Sequence, residues 1–262
     1  MVPQGLQFPG TTLQLGSPLT ESVRFVQSRM NALGLGPLEE NGTFDKATAL
    51  AVKTFQMRSV DPHGVPLNVD GKVGPLTWAT MFGSASLPAP TVTPGSLAAR
   101  VLEVASAEVG VQEEPPGSNR GKRVDQYIRR VGLDPAGNFA WCAAFVYFCF
   151  DEACTTLGRS NPVVKVAGVR EHWRRAKAQG VVTIEAKQAQ ENPALVKPGL
   201  IMMMGFPGGL GHTGLVESLR DGRLVTIEGN TNEGGSRNGV GVFRRQMRKI
   251  ADANLGFIDY LG

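Results

Sequence analysis

One cysteine and one histidine of this sequence, Cys142 and His212, lie at positions where they could act as a nucleophile and a base. Cys142 opens the apolar run "WCAAFVYFCF" (141–150), directly after the loop "GLDPAGN" (132–138). A buried cysteine normally behaves as a small hydrophobe. At a helix N-terminus, however, the unpaired N–H groups and the helix dipole favour a thiolate. The position of Cys142 therefore predicts a nucleophile, provided that the chain also supplies a base.

His212 is the candidate base. It begins "HTGLVES" (212–218), whose alternation is typical of a strand with one buried face. His172 lies in "REHWRRA" (170–176), on a predicted surface helix among arginines, and has no evident partner. His63 lies in a loop of the N-terminal half. A purely structural role for His212 is the alternative, and the following strand argues against it.

That strand, "RLVTIEGN" (223–230), supplies two candidate partners for the imidazole. A histidine that serves a cysteine needs an acceptor that fixes its tautomer and stabilises the imidazolium. Glu228 and Asn230 are two residues apart and so share one face of the strand. A three-residue loop, 220–222, would place His212 opposite Asn230 and diagonal to Glu228. A two-residue loop would put His212 and Glu228 on opposite faces. We expect the longer loop, with Gly222 left-handed at its end.

The elements that must position these residues lie between 97 and 262. Apolar spacing predicts a helix with a stripe of Leu97, Val101, Ala105 and Val109, then one over 122–132, then the cysteine helix from about Trp141 to Cys154. After Pro198 the chain is β-rich and punctuated by glycine and charged turns. Helices followed by an antiparallel meander indicate an α+β domain whose sheet packs on the helices.

The N-terminal region reads as a separate, helical domain. Three short helices are predicted over 18–83, the first with Val23, Val26, Met30 and Leu33 on one face. The segments "NGTFDKAT" (41–48) and "DGKVGPLT" (70–77) have similar punctuation, which suggests a duplicated half-unit. The proline-rich stretch 84–96 is predicted to be an extended linker. A small bundle without an obvious catalytic pair favours a binding module.

Composition and charge exclude several classes of protein and of functional site. The net charge of +4 comes from 27 basic and 23 acidic residues and lies wholly in 97–262. This excess of basic residues forms either an ordinary solvated face or a surface that attracts an anionic polymer. No nucleic-acid recognition motif is present. No apolar run is long enough to span a bilayer. Three clustered cysteines form no disulfide framework, so we expect reduced thiols, with Cys149 and Cys154 structural. No histidine pattern indicates zinc, and we expect no metal or other cofactor.

Residues 18–83 resemble a known module. The series "VQSRMNALG", "NGTFDKATALAVKTFQ" and "DGKVGPLTW" closely resembles the type 1 peptidoglycan-binding domain of bacterial and phage wall hydrolases. The resemblance implies a cell-wall anchor, and a helical spacer without binding function is the alternative. The chain departs from the pattern by inserting "PHGVPLN" (62–68) between the second and third helices.

Residues 97–262 resemble a second family. The segments "GNFAWCAAFVYFCF", "KPGLIMMM", "GHTGLVES" and "VTIEGNTN" are similar to the CHAP amidase/endopeptidase group of the papain-like, NlpC-type superfamily. The lead-in "VQEEPPGSNRGKRVDQYIRRVGL" (111–133) resembles one CHAP subgroup. The resemblance implies that Cys142 is the nucleophile, His212 the base and Glu228 the orienting residue, with Asn230 a neighbouring site residue. The chain has "PGL" where the family usually has "PGD".

Two further expectations concern the walls of the site. Trp141 either lines the groove or packs in the core. Glu113, Glu114 and Asn119 either edge the cleft or are solvated loop residues, and we favour the solvated interpretation. The backbone N–H of Cys142 is a candidate to hold an oxyanion.

The sequence as a whole predicts a modular peptidoglycan hydrolase. It would cut an amide bond of the wall peptide, either N-acetylmuramoyl–L-alanine or a bond within the stem or cross-bridge. An inactive wall-binding or assembly protein is the alternative, and a glycosidase is disfavoured because no acidic pair stands out. The N-terminus shows no secretory signal. We therefore expect a monomer made in the cytoplasm that reaches the wall either as a phage endolysin, through a holin-like partner, or as an effector delivered by a secretion system.

Overall fold

The computed structural model describes residues 6–87, 91–232 and 239–262. The predicted α+β class is confirmed, with helices followed by one six-stranded sheet. The chain divides into two compact units. The first contains residues 1–89 with the short segments 190–195 and 220–223, and the second contains the remainder. Within the predicted linker, Ser84–Ser86 forms a 3₁₀ turn, and residues 88–90 lie outside the described part of the chain.

The first unit is built on three helices, α1 (Thr20–Ala32), α2 (Lys46–Arg58) and α3 (Pro75–Phe82). The predicted inward face of α1 is buried at Val23, Val26 and Met30. Leu33 was assigned to the same face, and this is wrong. The helix ends at Ala32, one residue earlier, and Leu33 is 41% exposed. The core of this unit also contains Leu6, Phe8 and Leu13, which precede residue 18.

The suggested duplication is visible as a repeated hydrogen-bond network. A buried glutamine, Gln27, accepts from the N–H of Gly42 at 2.9 Å and donates to the carbonyl of Thr43 at 3.0 Å. Gln56 accepts from Gly71 and donates to the carbonyl of Lys72, each at 2.9 Å. Each glutamine thus forms hydrogen bonds with a backbone N–H and a backbone carbonyl of the loop before the next helix. Buried polar groups need such partners.

The second unit begins with α4 (Leu97–Ala107) and α5 (Val124–Arg130), followed by α6 (Cys142–Thr156), α7 (Val169–Ala178) and α8 (Ala186–Glu191). The stripe predicted for α4 is buried except at Val109. That residue lies beyond the end of the helix and is partly exposed. Helix α6 is apolar on nearly every side and is buried over most of its length. It therefore occupies the centre of the domain core rather than its surface.

The sheet contains β1 (Val182–Glu185), β2 (Ile201–Gly205), β3 (Gly211–Arg220), β4 (Arg223–Thr231), β5 (Gly241–Arg248) and β6 (Gly256–Asp259), in the order β1-β6-β2-β3-β4-β5. Strands β2 to β5 form the predicted meander. The last strand, β6, does not continue this meander, because it lies between β1 and β2 instead of next to β5.

Both faces of the sheet are covered. Ile201, Met203 and Leu215 pack in one core with α6, whereas Met202, Met204 and Val216 pack in another on the opposite face. This explains why β2 is apolar at nearly every residue. A strand with one face in solvent would instead alternate apolar and polar residues. No helix within the described ranges is long and apolar enough to cross a membrane.

Candidate active site

Cys142 is the first residue of α6, as its sequence position predicts. Trp141 is the N-cap residue and offers no side-chain hydrogen bond to the helix end. The first intrahelical bond runs from the N–H of Phe145 to the carbonyl of Trp141 at 2.9 Å. The N–H groups of the first turn therefore have no helical acceptor, and they lie beside the thiol. Such a helix end stabilises negative charge on sulfur or on an adjacent oxygen.

The hairpin that carries His212 and Glu228 turns through two residues, so the predicted three-residue loop is wrong. Only Asp221 and Gly222 separate the strands, with φ of 53° and 80°. Two left-handed residues form a type I′ turn, which suits the twist of paired strands. A regular ladder from such a turn would put His212 and Glu228 on opposite faces. Their side chains are in contact, so the pairing must shift by one residue between the turn and the site.

The imidazole of His212 is bound to the carboxylate of Glu228. Its Nε2 lies 2.8 Å from Oε2 of Glu228, and both side chains are fully buried. Nδ1 has no hydrogen bond of normal geometry to any residue that the structure describes. Because Glu228 occupies Nε2, a hydrogen bond between His212 and Cys142 could involve only Nδ1. Such bonds are often long before substrate binds.

Arg248, at the end of β5, completes the group and is not among the site residues predicted from the sequence. Its Nε donates to Oε1 of Glu228 at 2.9 Å and its Nη2 donates to Oε2 at 2.8 Å. The hydroxyl of Thr226 donates to Oε1 at 2.6 Å. The two carboxylate oxygens thus accept four bonds, counting that from His212. A buried carboxylate needs several such hydrogen bonds to remain charged.

The charges of these residues favour an imidazolium. Burial lowers the pKa of His212, but hydrogen bonding and charge attraction from Cys142 and Glu228 outweigh it and raise the pKa to about 9. Burial likewise opposes ionisation of Glu228, yet the bonds and charges of Arg248 and His212 hold the pKa of that carboxyl well below its usual range. The site therefore combines an imidazole that favours its protonated form, an ionised glutamate and the sulfur of Cys142 at a helix N-terminus.

Comparison with known families assigns both parts of the chain. Residues 134–230 match the model of the CHAP domain, and residues 20–81 match that of a putative peptidoglycan binding domain. The chain carries a CHAP domain. A type 1 peptidoglycan-binding domain precedes it, so the predicted modular architecture is confirmed. No curated protein and no solved structure matches the chain.

The two domains together support a peptidoglycan hydrolase that acts on the cell wall, and a CHAP domain implies amidase or peptidase activity. The CHAP match includes Cys142, His212, Glu228 and Asn230. Arg248 lies outside the matched residues. A basic residue near the end of the sheet was visible in the sequence, but nothing in its local pattern linked it to Glu228.

A glycine in β3 makes room for the side chain of Glu228. A Cβ on Gly214 would lie 2.6 Å from Cγ of Glu228 and 3.0 Å from the carbonyl oxygen of Ile227. Real Cβ atoms do not approach other atoms so closely, so any larger residue would displace the glutamate or the strand. Gly214 is therefore part of what places the carboxylate against His212.

Asn230 contacts the residue before Cys142. It lies where the pairing of β4 with β5 is irregular and has a left-handed φ of 55°. In the amide orientation that satisfies both of its groups, the oxygen accepts from the backbone N–H of Trp141 and the nitrogen donates to the carbonyl of Gly239, each at 3.0 Å. Geometry thus pairs His212 with Glu228, while Asn230 holds the backbone beside Cys142.

Trp141 packs in the core and does not line a groove. Its side chain is 0% exposed and lies in the main hydrophobic cluster of the domain. Its ring centroid is 5.6 Å from that of Tyr127. The indole Nε1 donates to Oε1 of Glu113 at 2.8 Å. Of the two expected roles, lining a groove or packing in the core, Trp141 therefore has the core-packing role.

The expectation that Glu113 is a solvated loop residue is wrong, because it is 2% exposed. Glu114, the next residue, is exposed as expected. Asn119 donates to the side chain of Asn138 at 3.1 Å, near the surface. Adjacent side chains of an extended segment point to opposite sides, and the tertiary structure decides that the side of Glu113 is the buried one.

The predicted surface helix does carry exposed arginines, Arg170 and Arg174, but His172 itself is buried and has a partner, so that part of the expectation is wrong. His172 is 1% exposed, and its Nε2 lies 3.1 Å from the hydroxyl of Tyr260. Burial lowers the pKa of His172 to about 4. The α7 helix has an apolar stripe that also buries Val169 and Ala176, and His172 shares it. A neutral histidine without a carboxylate partner is poorly suited to the role assigned to His212.

The remaining sulfur atoms belong to the core. All three cysteines are free thiols. Cys149 and Cys154 are buried along α6, and burial raises the pKa of both. Among the described residues, no group of three or more histidine, cysteine, aspartate or glutamate side chains is arranged to hold a metal ion.

Proposed function

We propose that this protein hydrolyses an amide bond of the peptidoglycan peptide by a cysteine mechanism, with Cys142 as nucleophile, His212 as acid–base and Glu228 as the orienting residue. The observation that carries the proposal is the buried contact of His212 with Glu228, on strands that pack against the helix beginning at Cys142. Residues 97–262 would form the catalytic domain, residues 18–83 the wall-binding domain and 84–96 the linker between them.

In the first half-reaction, the Cys142 thiolate attacks the carbonyl carbon of the scissile amide and forms a C–S bond. The carbonyl oxygen becomes an oxyanion, which the free N–H groups at the start of α6 stabilise, including that of Cys142. The tetrahedral intermediate then expels the amine, and Nδ1 of His212 supplies the proton that the leaving nitrogen needs. The products are a free amine and a thioester.

In the second half-reaction, neutral His212 takes a proton from water, and the hydroxide attacks the thioester carbonyl. The C–S bond breaks, a carboxylic acid is released and the thiolate–imidazolium pair is restored. Glu228 fixes Nε2 throughout, so Nδ1 remains directed to the reaction. Arg248 keeps Glu228 ionised in its buried position, which preserves the charge that the imidazolium needs.

The scissile bond is either N-acetylmuramoyl–L-alanine or a bond within the stem or cross-bridge. Anchoring by the peptidoglycan-binding domain would raise the local concentration of the enzyme on an insoluble substrate. We propose that its role is lysis of bacteria, as a phage endolysin or as a delivered effector. A wall-binding protein with an inactive CHAP domain is the alternative that the experiment must exclude.

The test is digestion of purified peptidoglycan, followed by mass spectrometry of the products. An amidase releases whole stem peptides that begin with L-alanine, whereas an endopeptidase leaves muropeptides with shortened or uncrosslinked stems. Cys142→Ala is the matched control and should release neither. Failure of the folded wild-type protein to release any peptide, while it still binds sacculi, would support the inactive alternative.

A further inference from the structure

A segment far from the proposed catalytic residues in sequence is tied to the residues just before the nucleophile. Glu113 accepts the indole N–H of Trp141 at 2.8 Å. Asn119 donates to Asn138 at 3.1 Å, and both of these residues have a left-handed φ of 53°. Two separate side-chain bonds thus join residues 113–119 to residues 138–141, immediately ahead of Cys142.

The backbone around Glu113 is itself fixed to the sheet. The N–H of Glu113 donates to the carbonyl of Val240 at 2.7 Å, and the N–H of Val242 donates to the carbonyl of Val111 at 2.8 Å. Gln112 forms an isolated bridge with Gly241. Glu113 is therefore presented from a supported strand-like segment rather than from a free loop.

Trp141 is held at both of its N–H groups. Glu113 binds the indole N–H, and Asn230 accepts from the backbone N–H. Trp141 is the N-cap residue of α6 and is joined to Cys142 by one peptide bond. A displacement of Trp141 as a whole would therefore also move the first turn of α6 and the thiol.

Stability alone does not account for a glutamate at position 113. Its second carboxyl oxygen, Oε2, is buried and has no hydrogen-bond partner within the described part of the chain. Burying a partly satisfied carboxyl group costs free energy, and an apolar pair would fill the same space more favourably. Groups that cost stability are common where a protein must hold a functional geometry.

We propose that Glu113 is a positioning residue for the hydrolysis. It fixes the indole of Trp141 and thereby the start of α6, so that the Cys142 thiol lies in line with His212 and the scissile carbonyl. This inference rests on the proposed function of Cys142. It also gives a role to the segment 111–121, which lies outside the matched CHAP residues.

The experiment compares Glu113→Gln, Glu113→Leu, Trp141→Phe and the double variant Glu113→Leu/Trp141→Phe in the full chain. Turnover on purified sacculi, KM, thermal unfolding and the rate of Cys142 alkylation by iodoacetamide are measured for each. Glu114→Leu is the matched control, because the same change is made at the adjacent, exposed glutamate.

We expect Glu113→Leu to lower turnover by about 10-fold to 100-fold with little change in KM, since small displacements of a reacting atom have effects of that size. Glu113→Gln retains an acceptor for the indole and should restore turnover to within about threefold of wild type. The double variant removes donor and acceptor together, so its melting temperature should recover relative to Glu113→Leu. Its turnover should stay low.

Recovery of turnover together with stability in the double variant would overturn the proposal, because Glu113 would then be only structural. Equal turnover in Glu113→Leu and Glu114→Leu would overturn it too. Alkylation of Cys142 needs no substrate, so it tests the positioning even if the wild-type protein fails to cleave peptidoglycan. Unchanged alkylation in Glu113→Leu would refute the inference, whereas an inactive wild-type protein would refute the proposed function.

Discussion

Replacement of Glu228 by glutamine removes one charge from the centre of the site while keeping the shape of the side chain. The rise of the His212 pKa from its ordinary 6.5 to about 9 corresponds to about 3 kcal/mol of preference for the imidazolium. Cys142 and Glu228 share this effect. An opposite charge in contact shifts a pKa by about one to three units, so Glu228→Gln should move the alkaline limit of activity from about pH 9 to below about pH 8.

The same substitution should reduce turnover by roughly 10²-fold to 10⁴-fold, the range for losing the group that orients a catalytic histidine. It also leaves the Arg248 guanidinium, whose side chain is only 13% exposed, without its carboxylate. Breaking a buried pair costs about 3–5 kcal/mol. A second variant, Glu228→Gln/Arg248→Met, also removes the guanidinium and should fold well enough for the kinetic effect to be measured.

The assay is the rate of turbidity loss of purified sacculi between pH 5 and 10, with the alkylation rate of Cys142 followed by peptide mass mapping over the same range. Asn230→Ala is the comparison, because its partners are Trp141 and Gly239 rather than His212. It should be less damaging than Glu228→Gln and should leave the alkaline limit near pH 9. An unchanged limit in the folded Glu228 variants, or a larger loss of turnover in Asn230→Ala, would refute the assignment of Glu228.

Three further outcomes are expected. Cys142→Ala should abolish lysis and keep binding to insoluble peptidoglycan in a pull-down, and loss of binding would contradict the division between the two domains. Full activity in EDTA with inhibition by iodoacetamide is expected, and the opposite pattern would exclude the cysteine mechanism. Gly214→Ala should destabilise the protein by about 1–3 kcal/mol and lower turnover, because its Cβ would meet Glu228 at 2.6 Å. Gly168→Ala, whose Cβ would meet its nearest neighbour at 3.6 Å, should destabilise the protein less than Gly214→Ala and leave turnover close to wild type.

The stability of the native state should also depend on pH through His212. Its pKa is raised on folding, so the imidazolium stabilises the protein fully below about pH 6.5, and this contribution is lost as the pH rises through about 9. The melting temperature of the wild-type protein should fall across that interval. In Glu228→Gln/Arg248→Met the fall should be smaller, and an equal fall in both proteins would contradict the linkage.

Local patterns in the sequence were sufficient for the α+β class, for most of the apolar faces of α1 and α4 and for the placement of Cys142 at a helix start. Helix faces repeat within four residues, so their information is contained in short stretches of chain. The same holds for the repeated loops before α2 and α3, because each loop is satisfied by the glutamine of the preceding helix. The motifs of both domains were recognisable for this reason.

Only the tertiary structure decided which polar side chains are buried together. Glu113 and Glu114 are neighbours of the same type, yet contact with Trp141, 28 residues away, buries one and leaves the other in water. Arg248 reaches Glu228 from a strand 20 residues further along the chain. His172 is buried because α7 turns its apolar stripe toward the core.

The turn and the strand order show the same limit. The sequence "RDGR" permits two loop lengths, and only the paired strands select the type I′ turn and then shift the register before the site. The place of β6 between β1 and β2 likewise depends on partners that are distant in the chain. Burial of a charged group is decided by the free energy of its whole surroundings, and those surroundings exist only after the strands and helices have been assembled.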